Sequence, residues 1–474
     1  MRCHGRHRAF GTAHFAGLSV PGRRGYMQET ARWPEFDAAL AAFEAGVTLY
    51  FHACPATGRD GCTISESDPG PGATVRLVAE LERTSVPLGQ TGAFRVTLRR
   101  GADEVTYPVE LTYGGALGRQ VFVVPVTRTG GTERHVLPFQ WQEGGTAAST
   151  NPAARRFRDV GSADWVSGAG LSTPTSQRSF DASCAGCHFT GFSLEGDATS
   201  GFRASGIPSF EGAFDYDLDG RNEEIDVGCE GCHGPGSEHV EAAGNGVAIV
   251  SPGLLTPDRS VALCARCHSR AGGSDTADGP LTDASHRLAP AGIRRSELIA
   301  SYHRRPEAVD GDLYPSGDPA RDRLAALAHV RSPMHRNART LTRCTDCHDV
   351  HGSAEAHDLR APIGSTAVCT SCHAEARYTT DLGTHLMMAT RDSHAVARDE
   401  MTCVGCHLPT AGHAGAERLG LRDAVPATST AVQYWQGDVA SHRYRVAGFD
   451  TAASQPATVT QACGLCHAAR LPNP

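Results

Sequence analysis

The sequence lacks any long hydrophobic run, basic stripe or abundance of aromatic residues. No stretch of the 474 residues approaches 18 consecutive apolar residues, so no membrane-spanning helix is predicted. Lys and Arg number 44 against 52 Asp and Glu, and they form no cluster, which argues against a nucleic-acid partner. Aromatic residues make up only 6% of the chain and hydrophobic residues 40%. The polypeptide alone therefore offers little apolar material for a core of this length.

Cysteine and histidine are abundant by contrast, and they recur in one pattern, Cys-x-x-Cys-His. Seven copies use 14 of the 17 cysteines, which chance placement does not produce. The pattern is the attachment site of c-type haem: two thiols add to the haem edge and the adjacent His binds the iron. The predicted attachment residues are Cys184, Cys187, Cys229, Cys232, Cys264, Cys267, Cys344, Cys347, Cys369, Cys372, Cys403, Cys406, Cys463 and Cys466. The predicted proximal iron ligands are His188, His233, His268, His348, His373, His407 and His467.

Other uses of paired cysteines explain this set less well. Structural zinc sites need four ligands but no His after each second Cys. A thioredoxin-like motif occurs once, and a disulfide framework belongs to short secreted chains. We therefore expect haem c as the cofactor, and we expect the chain to fold poorly without it.

The chain before the first motif has a different pattern. Apolar and polar residues alternate with a period of two at 75–82, 94–98 and 105–113. A further apolar run at 121–126 is followed by Gly130-Gly131 and a second run at 135–141, which together predict a hairpin. A short helix is predicted at 36–45. We therefore predict an α+β fold of short helices and loops wrapped around a multihaem core, with a small N-terminal antiparallel β module.

The same patterns give a predicted domain division. Residues 1–68 form an N-terminal haem-associated segment, residues 69–145 the β module, and residues 146–474 the multihaem domain. Gly, Ser and Thr are frequent between the module and the first motif, which is typical of connecting chain.

The second axial ligands decide what the haems can do. His239 follows a Gly-Pro-Gly turn after the second motif, and His351 stands three residues after a proximal ligand, too near to reach the opposite face of the same iron. We take these two as the best-marked distal candidates. Weaker candidates, for each of which a solvated surface His is the alternative, are His14, His52, His335, His385, His394 and His442. Methionines are a further alternative as axial ligands.

A short acidic segment before the second motif resembles a calcium loop. Asp215, Asp217, Asp219 and Gly220, followed by Asp226, match the pattern D-x-[DN]-x-[DN]-G-x5-E except that Asp replaces the final Glu. Alternating carboxylates and a sharp Gly turn would supply hard oxygen ligands, so calcium is a candidate second cofactor. The alternative is a polar connection.

The first residues of the chain suggest a missing segment. Cys3-His4 matches the last two residues of a CxxCH motif, so an eighth haem site would begin upstream. Covalent haem attachment takes place outside the cytoplasm, yet no apolar leader is visible. We therefore expect a truncated N-terminus, with a chance Cys-His pair as the alternative. Cys54 and Cys62 are spare; in an oxidising compartment they could form a disulfide, and otherwise they are free thiols.

Several segments resemble the cytochrome c-554-type multihaem family, in the branch with a β-rich insertion before its haem run. The similar segments are 110–120, 137–141, 184–192, 229–239, 343–352 and 441–445. The resemblance implies that His239, His351 and His442 are distal ligands and that His14 is an N-terminal distal ligand. The missing first half of the N-terminal motif departs from the family pattern.

Three functions fit these observations. The first is electron transfer through closely spaced, mostly bis-His haems in the periplasm or outside the cell, with redox proteins or membrane-bound donors as partners. The second is a multihaem oxidoreductase acting on a small nitrogen or sulfur species at one open haem; no CxxCK motif supports it. The third is a subunit of an extracellular cytochrome filament or larger conduit. Neither nucleic acid nor a transmembrane segment is expected in any of them.

Overall fold

The first half of the chain is rich in β-strands. The computed structural model describes residues 14, 18–19, 35–54, 61–113, 119–142, 156–208, 214–245, 247–269, 282–283, 285, 287–302, 313, 317–319, 324–337, 339–353, 355–362, 365–376, 403–408, 410–412 and 439–445. The elements before the first motif are β1 (Leu18–Ser19), α1 (Glu35–Glu44), β2 (Thr48–His52), β3 (Thr63–Ser65), β4 (Val75–Arg83), β5 (Phe94–Arg100), β6 (Asp103–Pro108), β7 (Leu111–Tyr113), β8 (Arg119–Arg128), β9 (Gly131–Gln142), β10 (Phe157–Asp159), β11 (Val166–Ser167) and β12 (Gly170–Leu171). Single turns of 3-10 helix lie at Ser162–Trp165 and Ser176–Arg178.

These strands form two five-stranded antiparallel sheets. The first has the order β3-β2-β4-β5-β6 and the second β1-β7-β8-β9-β10, while β11 and β12 pair with each other. The predicted helix at 36–45 is confirmed as α1, and the predicted hairpin is confirmed as β8 and β9. Strands β2 and β3 belong to the first sheet, so strand pairing begins before residue 69. The domain boundaries themselves stay a prediction.

Alternating burial explains the first sheet. Leu77, Ala79 and Leu81 of β4 are buried while their neighbours are partly exposed, as expected for a strand with one face on the core. Strand β6 lies at the edge of this sheet and is largely exposed.

The alternating segment 105–113 does not stay in one sheet. The backbone N–H of Val109 donates to Phe94 O of the first sheet (2.9 Å), whereas that of Glu110 donates to Val123 O of the second (2.9 Å). Both residues are buried, because the chain passes between the sheets here. Alternation continues through the crossing, which is why the sequence does not reveal it.

Aromatic packing joins helix α1 to both sheets. The ring of Phe43 lies 5.5 Å from that of Phe94 in the first sheet and 5.0 Å from that of Phe122 in the second. All three side chains are at most 1% exposed. This cluster is the main core of the β-rich half.

The second sheet is buried on both faces. Phe122 and Val124 of β8 face the main core, whereas Val121 and Val123 belong to a second cluster with Phe180. A strand covered on both sides reads as a continuous apolar run, which is what 121–126 shows. The second cluster brings the sheet against the first CxxCH motif.

The remainder of the described chain consists of short helices. They are α2 (Phe180–Ser183), α3 (Ala185–His188), α4 (Cys229–His233), α5 (Ser237–Glu241), α6 (Pro257–His268), α7 (Arg295–Ser301), α8 (Ala325–Val330), α9 (Pro333–Arg336), α10 (Ala367–Thr370) and α11 (Cys403–His407). One hairpin, β13 (Ser193–Asp197) with β14 (Gly201–Ser205), and one antiparallel pair of short strands, β15 (Thr410–Gly412) with β16 (Val439–Ala440), accompany them. Further 3-10 turns lie at Pro252–Leu254, Cys344–Asp346 and Ala356–Asp358. Among the residues that the structure describes, no helix has the length and apolarity to cross a membrane. The predicted α+β fold class is confirmed.

Candidate haem-binding site

Six of the seven CxxCH motifs lie in the described chain, and each includes or adjoins a helical turn. Helices α4 and α11 coincide with the second and sixth motifs, and α6 ends on the His of the third. In the fourth and fifth motifs the turn closes when the N–H of His348 donates to Cys344 O (3.0 Å) and that of His373 to Cys369 O (2.9 Å). Positions three and four apart share a helix face, so both thiols and the imidazole can address one haem. The seventh motif, Cys463 to His467, and the Cys406 side chain lie outside the description.

Three of the six motif histidines that the structure describes face a second imidazole from a distant part of the chain. The ring centroids of His268 and His14 are 6.2 Å apart, those of His233 and His351 6.0 Å, and those of His348 and His442 6.2 Å. The last two pairs are nearly parallel, at 21° and 29°, and the first is steep, at 76°.

This spacing matches two imidazoles on one metal ion. With a metal–nitrogen bond of about 2.0 Å and a ring radius of about 1.1 Å, the ring centres of two opposed ligands lie roughly 6.2 Å apart. The three pairs therefore have the separation that one iron between them requires. The donor set also fits haem c, because one imidazole of each pair follows directly on two thiols.

Backbone carbonyls orient several of these rings. The Nδ1 atom of His233 lies 2.8 Å from Val250 O, that of His348 2.9 Å from His357 O, and that of His442 3.1 Å from Ala440 O. An imidazole that donates through Nδ1–H keeps a lone pair on Nε2 for a metal. The sequence does not predict these carbonyl partners, because they are set by the path of the backbone.

Burial keeps two of the distal candidates neutral. It lowers the pKa of His442 to about 4, with a smaller effect from His348, and it lowers the pKa of His14, where Asp358 opposes the shift. A neutral imidazole is the form that binds iron. The N–H of Val227, two residues before the second motif, donates to His14 O (3.0 Å) and so connects residue 14 to the haem-motif region.

Two further buried histidines precede the fourth motif. His335 is 6% exposed and His329 4%, and their ring centroids are 5.2 Å apart. His329 Nε2 lies 3.2 Å from Thr342 O, whereas the buried Nδ1 of His335 has no hydrogen-bond partner. Neither belongs to a CxxCH motif, so this pair differs from the three above. His335 is among the sequence candidates; His329 is not, and the only sequence signal is its place six residues before His335.

The other predicted distal ligands have varied positions. His239 lies in α5 with Nδ1 at 3.1 Å from Val247 O, the same type of orienting contact as in the paired rings. His52 lies in β2 with Nε2 at 2.5 Å from Ser65 Oγ. His385 and His394 lie outside the described residues, as do Cys3 and His4.

Thiols of different motifs meet. The neighbouring Cys187 thiol raises the pKa of Cys267, and the neighbouring Cys344 thiol raises that of Cys264, so the third motif lies against the first and the fourth. Cys369 and Cys403 join the fifth and sixth motifs in the same way. Burial is the main cause that raises the pKa of Cys369 to about 11, and the nearby Cys403 thiol is the second. Cys347 of the fourth motif is close enough to Cys372 of the fifth for an electrostatic effect. Attachment sites far apart in sequence are thus neighbours in space.

The first motif rests on the second sheet. The Tyr113 ring centroid is 5.1 Å from that of His188, and its hydroxyl is 3.8 Å from Cys184 Sγ. Phe180 of α2 completes the contact, with its ring centroid 6.3 Å from that of His188. Sequence analysis does not assign Tyr113 a place near a haem motif.

A buried polar network holds α2 on the sheet. Asp181 accepts from Arg134 N (2.7 Å), Ala204 N (2.7 Å) and the Tyr216 hydroxyl (3.1 Å). Burial raises the pKa of this carboxyl to about 6, although these donors and the Arg134 guanidinium oppose the shift. Arg134 also lies over the Tyr216 ring at 4.0 Å and donates to Glu110 Oε2 (3.0 Å).

The predicted calcium loop brings four carboxylates together, but not the predicted set. Asp215, Asp217 and Asp219 form a group with Glu223, in which one oxygen from each lies within 4.8 Å of the others. Asp226 is not in this group; its backbone carbonyl accepts from Thr190 Oγ1 (2.6 Å). Cys54 and Cys62 form a disulfide.

A comparison with protein-family models agrees with haem attachment. A family model described as the doubled CXXCH motif matches residues 335–378, which include the fourth and fifth motifs and begin at His335. The crystal structure of outer cell wall cytochrome OcwA is similar at a TM-score of 0.46 and 18% identity, over 76% of this chain and 72% of that one. No curated protein matches the sequence. The CxxCH motifs and the family match support a c-type cytochrome with covalently bound haem.

Proposed function

We propose that the protein transfers electrons through haems attached at its seven CxxCH motifs, most of them with two His ligands. The three imidazole pairs at 6.0–6.2 Å carry this proposal, because an iron bound by two protein ligands has no open position for a substrate. Haem supplies the reversible one-electron chemistry, and the chain tunes it through ligand, burial and hydrogen bonding.

The proposed ligand pairs join the chain over long distances. His14 would serve the haem of His268, His351 that of His233, and His442 that of His348. His239 and His335 would bind other irons, with His52, His385 and His394 as further candidates; an upstream Cys would add an eighth haem at His4. The remaining proximal ligands are His188, His373, His407 and His467.

Contacts between motifs support conduction along the chain of haems. The first, third and fourth motifs meet through their thiols, as do the fifth and sixth, and the fourth lies near the fifth. Haems attached to neighbouring turns would lie close together, which short electron-transfer steps require. The second motif joins the third in the same way, because Cys232 is close enough to Cys264 for an electrostatic effect. The proposed electron path therefore runs through the first six motifs, with the third in contact with the first, second and fourth.

The proposed location is the periplasm or the outside of the cell. Haem is attached to CxxCH outside the cytoplasm, and a disulfide such as Cys54–Cys62 persists in an oxidising compartment. Redox proteins or membrane-bound donors would be the partners. The domain division at residues 69 and 146 remains part of this proposal.

Spectroscopy of the purified holoprotein tests the proposal. We expect a mass increase equal to seven or eight haems, ferric spectra that are predominantly low-spin, and no turnover of nitrite, hydroxylamine or tetrathionate. A high-spin ferric haem that binds such a molecule, together with turnover, would instead favour the multihaem oxidoreductase.

A further inference from the structure

Four carboxylates converge in the connection that leads to the second CxxCH motif. One oxygen each from Asp215, Asp217, Asp219 and Glu223 lies within 4.8 Å of the others. Asp217 and Asp219 are exposed, Asp215 is half-buried and Glu223 is fully buried. Four negative charges this close repel one another unless a cation or protons compensate them.

Two buried oxygens of this group lack hydrogen-bond donors. Glu223 Oε2 accepts from Tyr216 N, but Glu223 Oε1 is buried with no partner, and so is Asp215 Oδ1. A buried carboxylate oxygen without a donor costs free energy comparable to a lost charged hydrogen bond. Two such oxygens in one cluster indicate that a cation binds between them.

The turn leaves carboxylate oxygens free to bind. Asp217 Oδ1 accepts from Asp219 N (3.2 Å), Asp215 Oδ2 from Gly220 N (3.1 Å) and Asp219 Oδ1 from Arg221 N (2.8 Å). Each Asp thus uses one oxygen in these bonds to shape the loop, and the second oxygen of Asp215 is buried without a donor. Gly220 has a φ of +89°, which permits the sharp turn that brings the residues together.

The donor chemistry and the number of carboxylates favour calcium. All ligands are anionic oxygens, with no nitrogen or sulfur donor that would suit zinc. Calcium–oxygen bonds are about 2.4 Å, so oxygens on opposite sides of the ion lie about 4.8 Å apart; for magnesium the distance is about 4.1 Å. Four carboxylates that lie within 4.8 Å of one another can therefore surround a calcium ion, whereas magnesium usually keeps several waters and takes only one or two carboxylates.

We propose that Asp215, Asp217, Asp219 and Glu223 bind one Ca²⁺ ion, and that the ion fixes the connection between the first and second haem motifs. Counting from Asp215, Glu223 is the ninth residue of the loop and Asp226 the twelfth. Glu223 therefore takes the role of last ligand, which the sequence pattern assigns to Asp226. Glu223 is anchored by its own backbone, whose N–H donates to Phe214 O (2.9 Å).

The residues that follow the cluster connect it to both neighbouring haem motifs. Thr190 stands two residues after His188; its hydroxyl donates to Asp226 O (2.6 Å) and accepts from Gly228 N (2.7 Å), just before the second motif. A cation that removes the repulsion within the loop would therefore stabilise the position of both motifs.

Calcium titration of the EDTA-treated holoprotein tests this proposal. Isothermal titration calorimetry should show one Ca²⁺ per chain, bound more tightly than Mg²⁺, and Ca²⁺ should raise the midpoint of thermal unfolding. The double variant Asp217→Asn/Asp219→Asn keeps the loop acceptors but removes two charges, and its affinity should fall at least about tenfold, or 1.4 kcal/mol.

Asp197→Asn is the matched control. Asp197 is exposed and accepts from Thr199 N and Ser200 N (both 2.8 Å) in a similar turn, but it is outside the cluster. This control should bind Ca²⁺ like the unmodified protein. Glu223→Gln tests the buried ligand and should also weaken binding. Failure to bind Ca²⁺ at millimolar concentration, or equal affinity in the double variant and the control, would overturn the proposal, and neither result depends on the haem ligands.

Discussion

Replacement of His351 by Ala should open one haem and leave the others unchanged. His351 is exposed, and its ring centroid lies 6.0 Å from that of His233 with the two ring planes 21° apart. Because the side chain is not part of a packed core, its removal leaves no cavity there, and the effect should come from the loss of an iron ligand. With seven haems bound, one seventh of the ferric haem should change from low-spin to high-spin.

The loss of this ligand should also weaken the fold. Coordination by His351 closes a loop of 118 residues from His233, and closure of such a loop costs about 4 kcal/mol of chain entropy. The iron–His351 bond must exceed this cost in the holoprotein. The variant should therefore retain attached haem but release this part of the chain at a lower denaturant concentration.

Carbon monoxide binding to the reduced protein is the assay. The His351→Ala variant should bind one equivalent more than the unmodified protein and show a new high-spin ferric signal. His135→Gln is the control, since His135 lies in β9 with Nε2 2.9 Å from Glu133 Oε1 and is not among the candidate ligands, so its CO stoichiometry should not change. An unchanged spin state and CO count in His351→Ala would refute the assignment of His351 as a ligand.

Three further predictions concern the β-rich half. Phe122→Ala, which removes a fully buried ring beside Phe43, should destabilise the protein by about 3–5 kcal/mol, seen as a lower denaturation midpoint. Cys54→Ser should cost about 2–3 kcal/mol, because the disulfide to Cys62 is lost; thiol counting under denaturing, non-reducing conditions checks the bond. The pKa of Asp181 is raised to about 6 in the folded protein, so between pH 4 and 6 the folded state binds more protons than the unfolded state. The free energy of unfolding should therefore fall by about 3 kcal/mol as the pH rises through this range. Asp181→Asn should remove this fall in a pH series of unfolding curves, and an unchanged slope would contradict the assignment.

Local patterns predict the parts of the fold that depend on local chemistry. The alternating residues of β4 and β5 and the Gly130-Gly131 turn are readable because each strand buries one face or turns at a glycine. The crossing at Val109 and Glu110 is not readable, because consecutive residues bond to different sheets while the alternation continues.

The candidate haem site likewise has a part that the sequence predicts and a part that it does not. The CxxCH motifs are contiguous, so the sequence reveals them directly. Opposed imidazoles come from segments up to 254 residues apart, as for His14 and His268, and only the path of the chain pairs them. Glu223 is not predicted for a related reason. The calcium-loop pattern expects the last carboxylate six residues after Gly220, whereas the folded backbone brings the carboxylate of Glu223, three residues after Gly220, into the group.

Long-range ligation also explains how a chain with so few apolar residues can have one structure. Each proposed pair joins a motif to a segment 94 or more residues away, and every covalently held haem adds apolar surface between them. Iron coordination and haem burial thus act on the same contacts, and neither is present in the apoprotein. The β-rich half differs, because its main core contains aromatic rings from α1 and both sheets and needs no cofactor. We therefore infer that the two halves respond differently to haem loss, with the sheets retaining their structure while the short helices of the motifs do not.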